Sequence, residues 1–197
     1  MSAIPNRGGF RSARIALGAP AAVANGYVVS VNMLVGAYTL AATQPTFGAR
    51  HVTLVRTVVV EADTPGTVVV LGVDAYGKII SETLVVGATG VTVTSVLYFA
   101  TITSLNGVGW VSGGTPDTIV IGWDALNAVA VKSGSGILHA ILAEVALTGI
   151  VTFNDTTGAK MILPAAFPIG LYPLDIGFAG KIEVVTAAAD RVIAIYD

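Results

Sequence analysis

Apolar and polar residues alternate with a period of two along most of this chain, and helical periodicity is almost missing. In GYVVSVNMLVGAYTL, the odd-numbered residues from Tyr27 to Val35 are apolar and alternate with a row that contains Ser30 and Asn32. Successive side chains of a β-strand point to opposite faces. The stretch therefore predicts one strand whose odd-numbered side chains face a core.

Further strands follow from the same pattern. HVTLVRTVVVEA places Val52 and Leu54 opposite His51 and Thr53, VTVTSVLYFATITSL alternates so regularly that it predicts one long strand, and DTIVIGW predicts a short one. ILHAILAEVAL contains good helix formers. We favour a strand there, because Gly136 and Thr148-Gly149 bracket a length typical of strands. The fold class is therefore all-β.

Turn and linker residues divide the chain. TPGTVVVLGVDAYGKIISETLVV predicts a hairpin that turns at Asp74-Ala75-Tyr76-Gly77, and the segment 132–136, KSGSG, is the best candidate for a domain boundary. We predict an extended N-terminal arm over residues 1–26, a β-sandwich or jelly-roll-like main domain over residues 27–131, and a smaller C-terminal β module over residues 132–197.

The composition is poor in charge. Asp, Glu, Lys and Arg make up 11% of the 197 residues and hydrophobic residues 54%, whereas charged residues are roughly 25% of a typical globular domain. The mean hydropathy is +0.80. So little charge predicts that much of the surface is buried against other chains, and we expect a homo-oligomer. No apolar run approaches the ~20 residues of a spanning helix, so we expect no membrane partner.

The charges are distributed unevenly. Residues 1–56 contain five arginines and no acid, whereas the remainder contains five basic and twelve acidic residues. Arg7, Arg11 and Arg14 lie among glycines, alanines and prolines, a composition that provides little drive for local folding. We predict that they contact carboxylates of a neighbouring copy or another protein. Three scattered arginines are a weak footprint for nucleic acid, so no direct nucleic-acid binding is expected. IALGAPAAVA also resembles a secretory signal, but its Gly and Pro disfavour that interpretation.

Motifs for chemistry are scarce. His51 and His139 are far apart in sequence, cysteine is absent and no carboxylate cluster has calcium spacing, so no metal site is predicted. Ser135 lies in the linker-like stretch, not on a nucleophile elbow. No phosphate-binding or dinucleotide-binding glycine motif occurs, so no cofactor and no catalytic residue are predicted.

Asp74 and Glu82 are the best acid/base candidates, and they belong to the predicted hairpin. We interpret them as turn-capping or solvated carboxylates, because neither sits in a context that predicts burial. Trp110 and Trp123 are candidate interface anchors, since exposed tryptophans often fill partner pockets. As a sugar platform they would instead indicate a carbohydrate-binding or glycan-cleaving protein.

The hairpin also carries a resemblance. The pattern G-x-D-x-x-G-x-x-x-x-E-T-L over residues 72–84, followed by F-A-T-I-T-S-L and D-T-I-V-I-G-W, resembles β-rich structural proteins of tailed-bacteriophage virions. S-G-S-G-I-L-H-A-I and G-I-V-T-F-N-D-T-T-G look like a second module of capsid-decoration or head-auxiliary proteins. Together these stretches cover about residues 50 to 197.

The resemblance implies a capsid decoration, or cement, protein on the outside of the phage head. Its implied partners are further copies of itself, often as a trimer, and the major capsid protein. No catalytic residue is implied. A tail, baseplate or fibre component remains the alternative, because β-rich phage folds are reused.

Overall fold

We describe a computed structural model of the chain over residues 9–16, 21–45, 48–60 and 63–197. These residues form strands joined by turns, and they contain no helix, which confirms the all-β prediction. The strands in chain order are β1 Arg11–Ala16, β2 Val23–Asn32, β3 Ala49–Thr57, β4 Thr67–Val73, β5 Ile79–Val85, β6 Thr92–Phe99, β7 Thr101–Val108, β8 Thr118–Ser133, β9 Gly136–Ala143, β10 Val151–Asp155, β11 Gly158–Leu163, β12 Gly170–Phe178, β13 Lys181–Thr186 and β14 Arg191–Tyr196.

The chain divides into two compact units. The larger unit begins at residue 20 and ends at Ala128, and the second combines the N-terminal residues up to 19 with Val129–Asp197. The division falls inside β8, whereas the sequence placed it at residue 132. The segment 132–136 is not a long linker, because only Gly134 and Ser135 separate β8 from β9. Gly134 has a φ of 88°, a conformation that glycine adopts at little cost.

Two antiparallel sheets form the larger unit. One has the order β2-β8-β3-β6 and the other the order β5-β4-β7. Their inward side chains form one apolar cluster that includes Val52 and Leu54 from the first sheet and Val68 and Val70 from the second. This arrangement is β-sandwich-like, because one face of each sheet is buried against the other.

The second unit is also built from antiparallel strands. One sheet has the order β1-β14-β9-β12. The other strands of the unit pair in the order β11-β10-β13. Phe153 from β10, Ile182 from β13 and Leu138 from β9 lie in the apolar core of the unit. Residues 137–143 of the segment with helix-forming residues form a strand, β9, as predicted, whereas residues 144–147 lie outside any strand.

Residues 11–16 differ from the predicted arm. They form β1, which pairs with β14 over six residues from Arg11–Tyr196 to Ala16–Arg191, and Ile15 is buried in the apolar core of the second unit. The sequence hid this pairing because the partner strand lies at the other end of the chain. Residues 1–8, with Arg7, lie outside the described residues.

Two strand predictions need correction. The stretch from Thr92 to Leu105 is not one strand, since the chain passes at Ala100 from β6 in one sheet to β7 in the other. In β2 the inward row is broken, because register shifts flank Val28. Val28 is buried while Val29 is 58% exposed, so the predicted inward row fails at Val29, although Tyr27, Val31 and Met33 do pack in the core. The irregular pairing places two consecutive side chains, Tyr27 and Val28, in the core.

Candidate interaction surface

The hairpin of β4 and β5 has the tight turn that the sequence predicts. The Asp74 carboxylate accepts hydrogen bonds from the backbone N–H groups of Tyr76 (2.8 Å) and Lys78 (2.9 Å). Gly77 has a φ of 78°, which favours glycine. Asp74 is therefore a turn-capping residue, as predicted from the sequence.

Glu82 acts on a different strand. Its two carboxylate oxygens accept hydrogen bonds from the backbone N–H groups of Val96 (2.8 Å) and Leu97 (2.9 Å) on β6. Ser95 beside them accepts a hydrogen bond from Val52 N–H and donates one to the Leu97 carbonyl. The two carboxylates of the hairpin thus serve separate backbone sites, and Glu82 joins the edges of the two sheets.

The outward face of the β5-β4-β7 sheet carries no charge. Antiparallel pairing arranges its side chains in four rows across the three strands. We call this surface the neutral face, and its rows are Val85–Thr67–Val108, Thr83–Val69–Asn106, Ser81–Leu71–Ser104 and Ile79–Val73–Thr101. All twelve side chains are apolar, hydroxylic or amide.

The neutral face is open to solvent, most of all at its corners. Ile79 is 73% exposed, Val85 71% and Val108 53%, and the outward residues of the central strand β4 are half-buried. Charged residues supply about a quarter to a third of ordinary protein surfaces. A face without charge and with large exposed apolar side chains is typical of a surface that contacts another protein.

The sequence contained a signal for this face. Every second residue of TVVVLGV and IISETLV faces outward, and none of those positions holds a charge. Sequence reasoning concentrated on Asp74 and Glu82 and missed the uncharged outward positions of the same two strands. The third strand, β7, could not be assigned to the face, because nothing local identifies the partner of a strand.

Most of the acidic side chains hold the chain's own backbone. Every aspartate except Asp175 accepts a hydrogen bond from a backbone N–H group among the described residues, namely Asp63, Asp74, Asp117, Asp124, Asp155, Asp190 and Asp197. Carboxylates are strong acceptors for amides that would otherwise lie unpaired in loops. Most of the aspartates after residue 56 therefore bind the backbone of their own chain.

A buried charged cluster connects two loops of the larger unit. Arg56 Nη1 lies 3.2 Å from Asp117 Oδ2 and donates to the Asp63 carbonyl at 3.0 Å. Burial alone would raise the pKa of Asp63, but hydrogen bonds from Asp117 N–H, Ser112 and Gly113 N–H outweigh it and lower the pKa. The charge of Arg56 acts in the same direction. This cluster fixes the loops that flank β4 and β8.

Two arginines of the basic first quarter of the sequence, Arg50 and Arg56, are internal too. Arg50 is fully buried and donates to the carbonyl groups of Ala21 and Asp124. Burial lowers the pKa of Arg50, while Asp124 and Tyr27 oppose that shift. Arg14 lies 2.9 Å from Glu144 of its own chain, and Arg11 is exposed on β1. The predicted partner contact of Arg14 therefore competes with an existing ion pair.

Each histidine pairs with an aspartate. His51 Nδ1 lies 2.8 Å from Asp124 Oδ2, and its ring stacks on Tyr98 at 3.9 Å. His139 Nδ1 lies 2.8 Å from Asp175 Oδ1. Asp175 has a φ of 130°, which is strained for a residue with a side chain. Within the described ranges, no three ligating side chains converge on a point that could hold a metal ion.

The remaining candidates have structural positions. Trp123 is only 5% exposed and packs edge-on against Tyr27, at a centroid distance of 4.9 Å. It cannot anchor a partner, because its position on β8 faces the core. Trp110 is partly buried against the same core. Ser135 Oγ accepts a hydrogen bond from Gly180 N–H at 2.9 Å and so stabilises a turn.

Comparison with known proteins identifies no relative, so the function must be inferred from the geometry of this chain. No protein-family model, curated protein or solved structure matches this chain. Among the described residues, no helix has the length and apolar character needed to cross a bilayer. The class that the structure defines is an all-β protein, β-sandwich-like, with an uncharged exposed sheet face.

Proposed function

We propose that this chain is a structural protein of a phage virion, a capsid decoration protein that stabilises the head through contacts between protein subunits. The observation that carries the proposal is the neutral face. A decoration protein contributes only by binding to other subunits, and a wide uncharged sheet face suits such binding because little polar surface must be desolvated.

One of the patterns that carry the resemblance to phage structural proteins, over residues 72–84, lies in the hairpin that forms part of the neutral face. Gly72, Asp74 and Gly77 shape the β4–β5 hairpin, and Glu82 ties that hairpin to β6. The residues of this one pattern thus build the support for the neutral face. The proposal gains support from this coincidence, because the pattern describes a rigid platform.

The use of charged side chains also supports a structural role. Aspartates hold backbone N–H groups, Arg50 holds backbone carbonyls and both histidines are paired with aspartates. Such contacts stabilise turns and sheet edges. Contacts through an uncharged face depend little on salt, because salt screens only interactions between charges.

The test is to locate the chain on the particle. Phage particles of the genome that encodes this sequence should be purified and imaged by electron cryo-microscopy, with and without the gene for the chain. We expect density for the β-sandwich on the outside of the head, and heads without the protein that rupture at lower temperature. Absence of the chain from purified particles would refute the proposal, and density on the tail would favour the tail alternative.

A further inference from the structure

We propose that the neutral face binds the same face of a second copy of this chain, across a two-fold axis. This inference rests on the proposed function only in that both assign the neutral face to subunit contacts. It adds the identity of the partner. A protein surface that covers this face must itself lack charge, because an unpaired buried charge costs several kcal/mol.

The chain itself offers such a surface. Ordinary protein surfaces intersperse charges of both signs, so a matching uncharged sheet face is uncommon on other partners. A two-fold interface brings a patch against an identical patch. Two identical charged patches would repel each other in such an interface. The twelve residues of the neutral face carry no charge, so two copies of this face can pack together without repulsion.

The shape of the face suits pairing with itself. Two sheets pack face to face about 10 Å apart when their twists match, and identical sheets have identical twist. The β4–β5 ladder pairs all seven residues from Thr67–Val85 to Val73–Ile79 without a bulge. Two of the three strands therefore present a regular surface.

The arrangement of side chains is consistent with either in-plane two-fold axis. An axis parallel to the strands places Val85 of one copy over Val108 of the other. An axis perpendicular to the strands places the Val85 row over the Ile79 row. In both cases the apolar end rows meet apolar end rows, and the more polar middle rows, with Ser81 and Thr83, meet each other.

The size of the face predicts the strength of the contact. Three strands of seven residues cover on the order of 300 Å² at ordinary strand dimensions. The ladder continues to a bridge between Thr64 and Val111, which is 61% exposed, and Ala37 pairs with Asn106 on the far side of β7. A standard interface uses about 800 Å² from each partner. We therefore expect association of the free protein in the micromolar range or weaker.

The test is the mass of the full chain in solution. Sedimentation equilibrium should show a mean mass that rises with concentration from 20.0 kDa towards twice that value. Thr83→Lys places a charge at an exposed position of the face and should weaken association at least ~10-fold, since two charges are then brought together in the dimer. Ile150→Lys is the matched control, because Ile150 is 58% exposed outside the neutral face. Both variants should unfold cooperatively.

A second measurement identifies the partner surface. The chain contains no cysteine, so Leu71→Cys, close to the centre of the face, introduces the only thiol. A thiol-specific bismaleimide that spans about 10 Å, the spacing of packed sheets, should link it to the same residue of a second copy, whereas Ile150→Cys should not be linked. A monomer at all concentrations up to about 1 mM would overturn the inference. So would Thr83→Lys association at wild-type strength, or a wild-type oligomer in which Leu71→Cys does not cross-link.

The two proposals fail separately. If the protein is found on the capsid but does not pair through this face, the second copy is the wrong partner and the virion function stands. If the face pairs as described but the protein is absent from particles, the dimer stands and the virion function is refuted. A mass of three times 20.0 kDa with Leu71→Cys cross-links would show that the two-fold contact occurs alongside another one.

Discussion

The carboxylate of Glu82 on β5 lies 2.8 Å from the backbone nitrogen of Val96 on β6, and its second oxygen bonds the next amide, Leu97. One side chain thereby closes the sandwich at the edge where β5 and β6 approach each other. This relationship connects the strand that carries the corner residues of the neutral face to the opposite sheet. The sequence pattern led us to expect a carboxylate that was solvated or capped a turn.

The Glu82 contact predicts a larger cost than that of a solvated carboxylate. Glu82→Ala leaves two solvent-accessible amides without their acceptor and should lower the free energy of unfolding by about 1–2 kcal/mol, because hydrogen bonds to charged groups contribute more than neutral ones. Glu82→Gln should cost less, since one amide oxygen still accepts. Urea unfolding of these variants beside Thr83→Ala measures the difference. Equal stability of Glu82→Ala and wild type would contradict the assignment.

The turn of the hairpin gives a smaller effect. Asp74→Ala removes the acceptor for two turn amides, and we expect a loss of about 1 kcal/mol, as for other capping side chains. Asp74→Asn should retain most of the stability, because an amide oxygen caps turns as well. Chemical denaturation at neutral pH tests both. A loss of several kcal/mol for Asp74→Asn would indicate that its charge has another role.

The buried pair of Arg56 and Asp117 should contribute more to the free energy of unfolding than the pair of His51 and Asp124. Arg56 is 7% and Asp117 0% exposed at the side chain, so Asp117→Ala leaves a buried charge without its partner. Such losses cost about 3–5 kcal/mol. Asp124→Ala, at a pair that is more accessible to solvent, is the comparison and should cost clearly less. The thermal midpoints of the two variants should differ by several degrees in that order.

Acid should destabilise the fold. At Asp155 burial favours the neutral form, but hydrogen bonds from Thr157 and Ala179 N–H, and Lys160 nearby, lower its pKa. The pKa of Asp197 is lowered chiefly by the hydrogen bond from Ile137 N–H. A pKa that is lower in the folded state gives stability that is complete above the unfolded value of about 3.9 and is lost as the pH falls through the folded value.

The urea midpoint should therefore be steady from neutral pH to about 5 and fall below about 4. Asp155→Asn should reduce that dependence and lower the stability at neutral pH. Urea titrations at several pH values, read separately for each unit if two transitions appear, are the measurement. A midpoint that rises on acidification would show that these carboxylates are not held in their charged form.

The stability that β1 contributes should come from its buried side chain Ile15 and not from its exposed charge Arg14. Ile15 is 2% exposed in the core of the second unit, and Ile15→Ala should cost about 2–4 kcal/mol through the cavity that it leaves. Arg14→Gln removes an exposed ion pair with Glu144 and should change stability by less than about 0.5 kcal/mol. Hydrogen exchange at the β14 amides monitors the pairing. Unchanged exchange in Ile15→Ala would mean that residues 11–16 act as an arm after all.

The sequence by itself determined the features that depend on neighbouring residues. Period-two alternation identified the all-β class, and Asp74 and Gly77 identified the β4–β5 hairpin, because turn type and strand character are set by a few adjacent side chains. The same local logic distinguished a strand from a helix at β9, where Gly136 and Thr148-Gly149 limit the length of the segment.

Only the tertiary structure decided the features that depend on partners distant in sequence. β1 pairs with β14 from the opposite end of the chain, and Ala100 separates two strands that belong to different sheets. Trp123 faces the core, and Glu82 bonds a strand that is not its ladder partner. The neutral face exists because β7 pairs with β4, a pairing that no local pattern indicates. Local patterns state which side of a strand is apolar, but the strand that pairs with it is chosen by burial and hydrogen bonding summed over the whole fold.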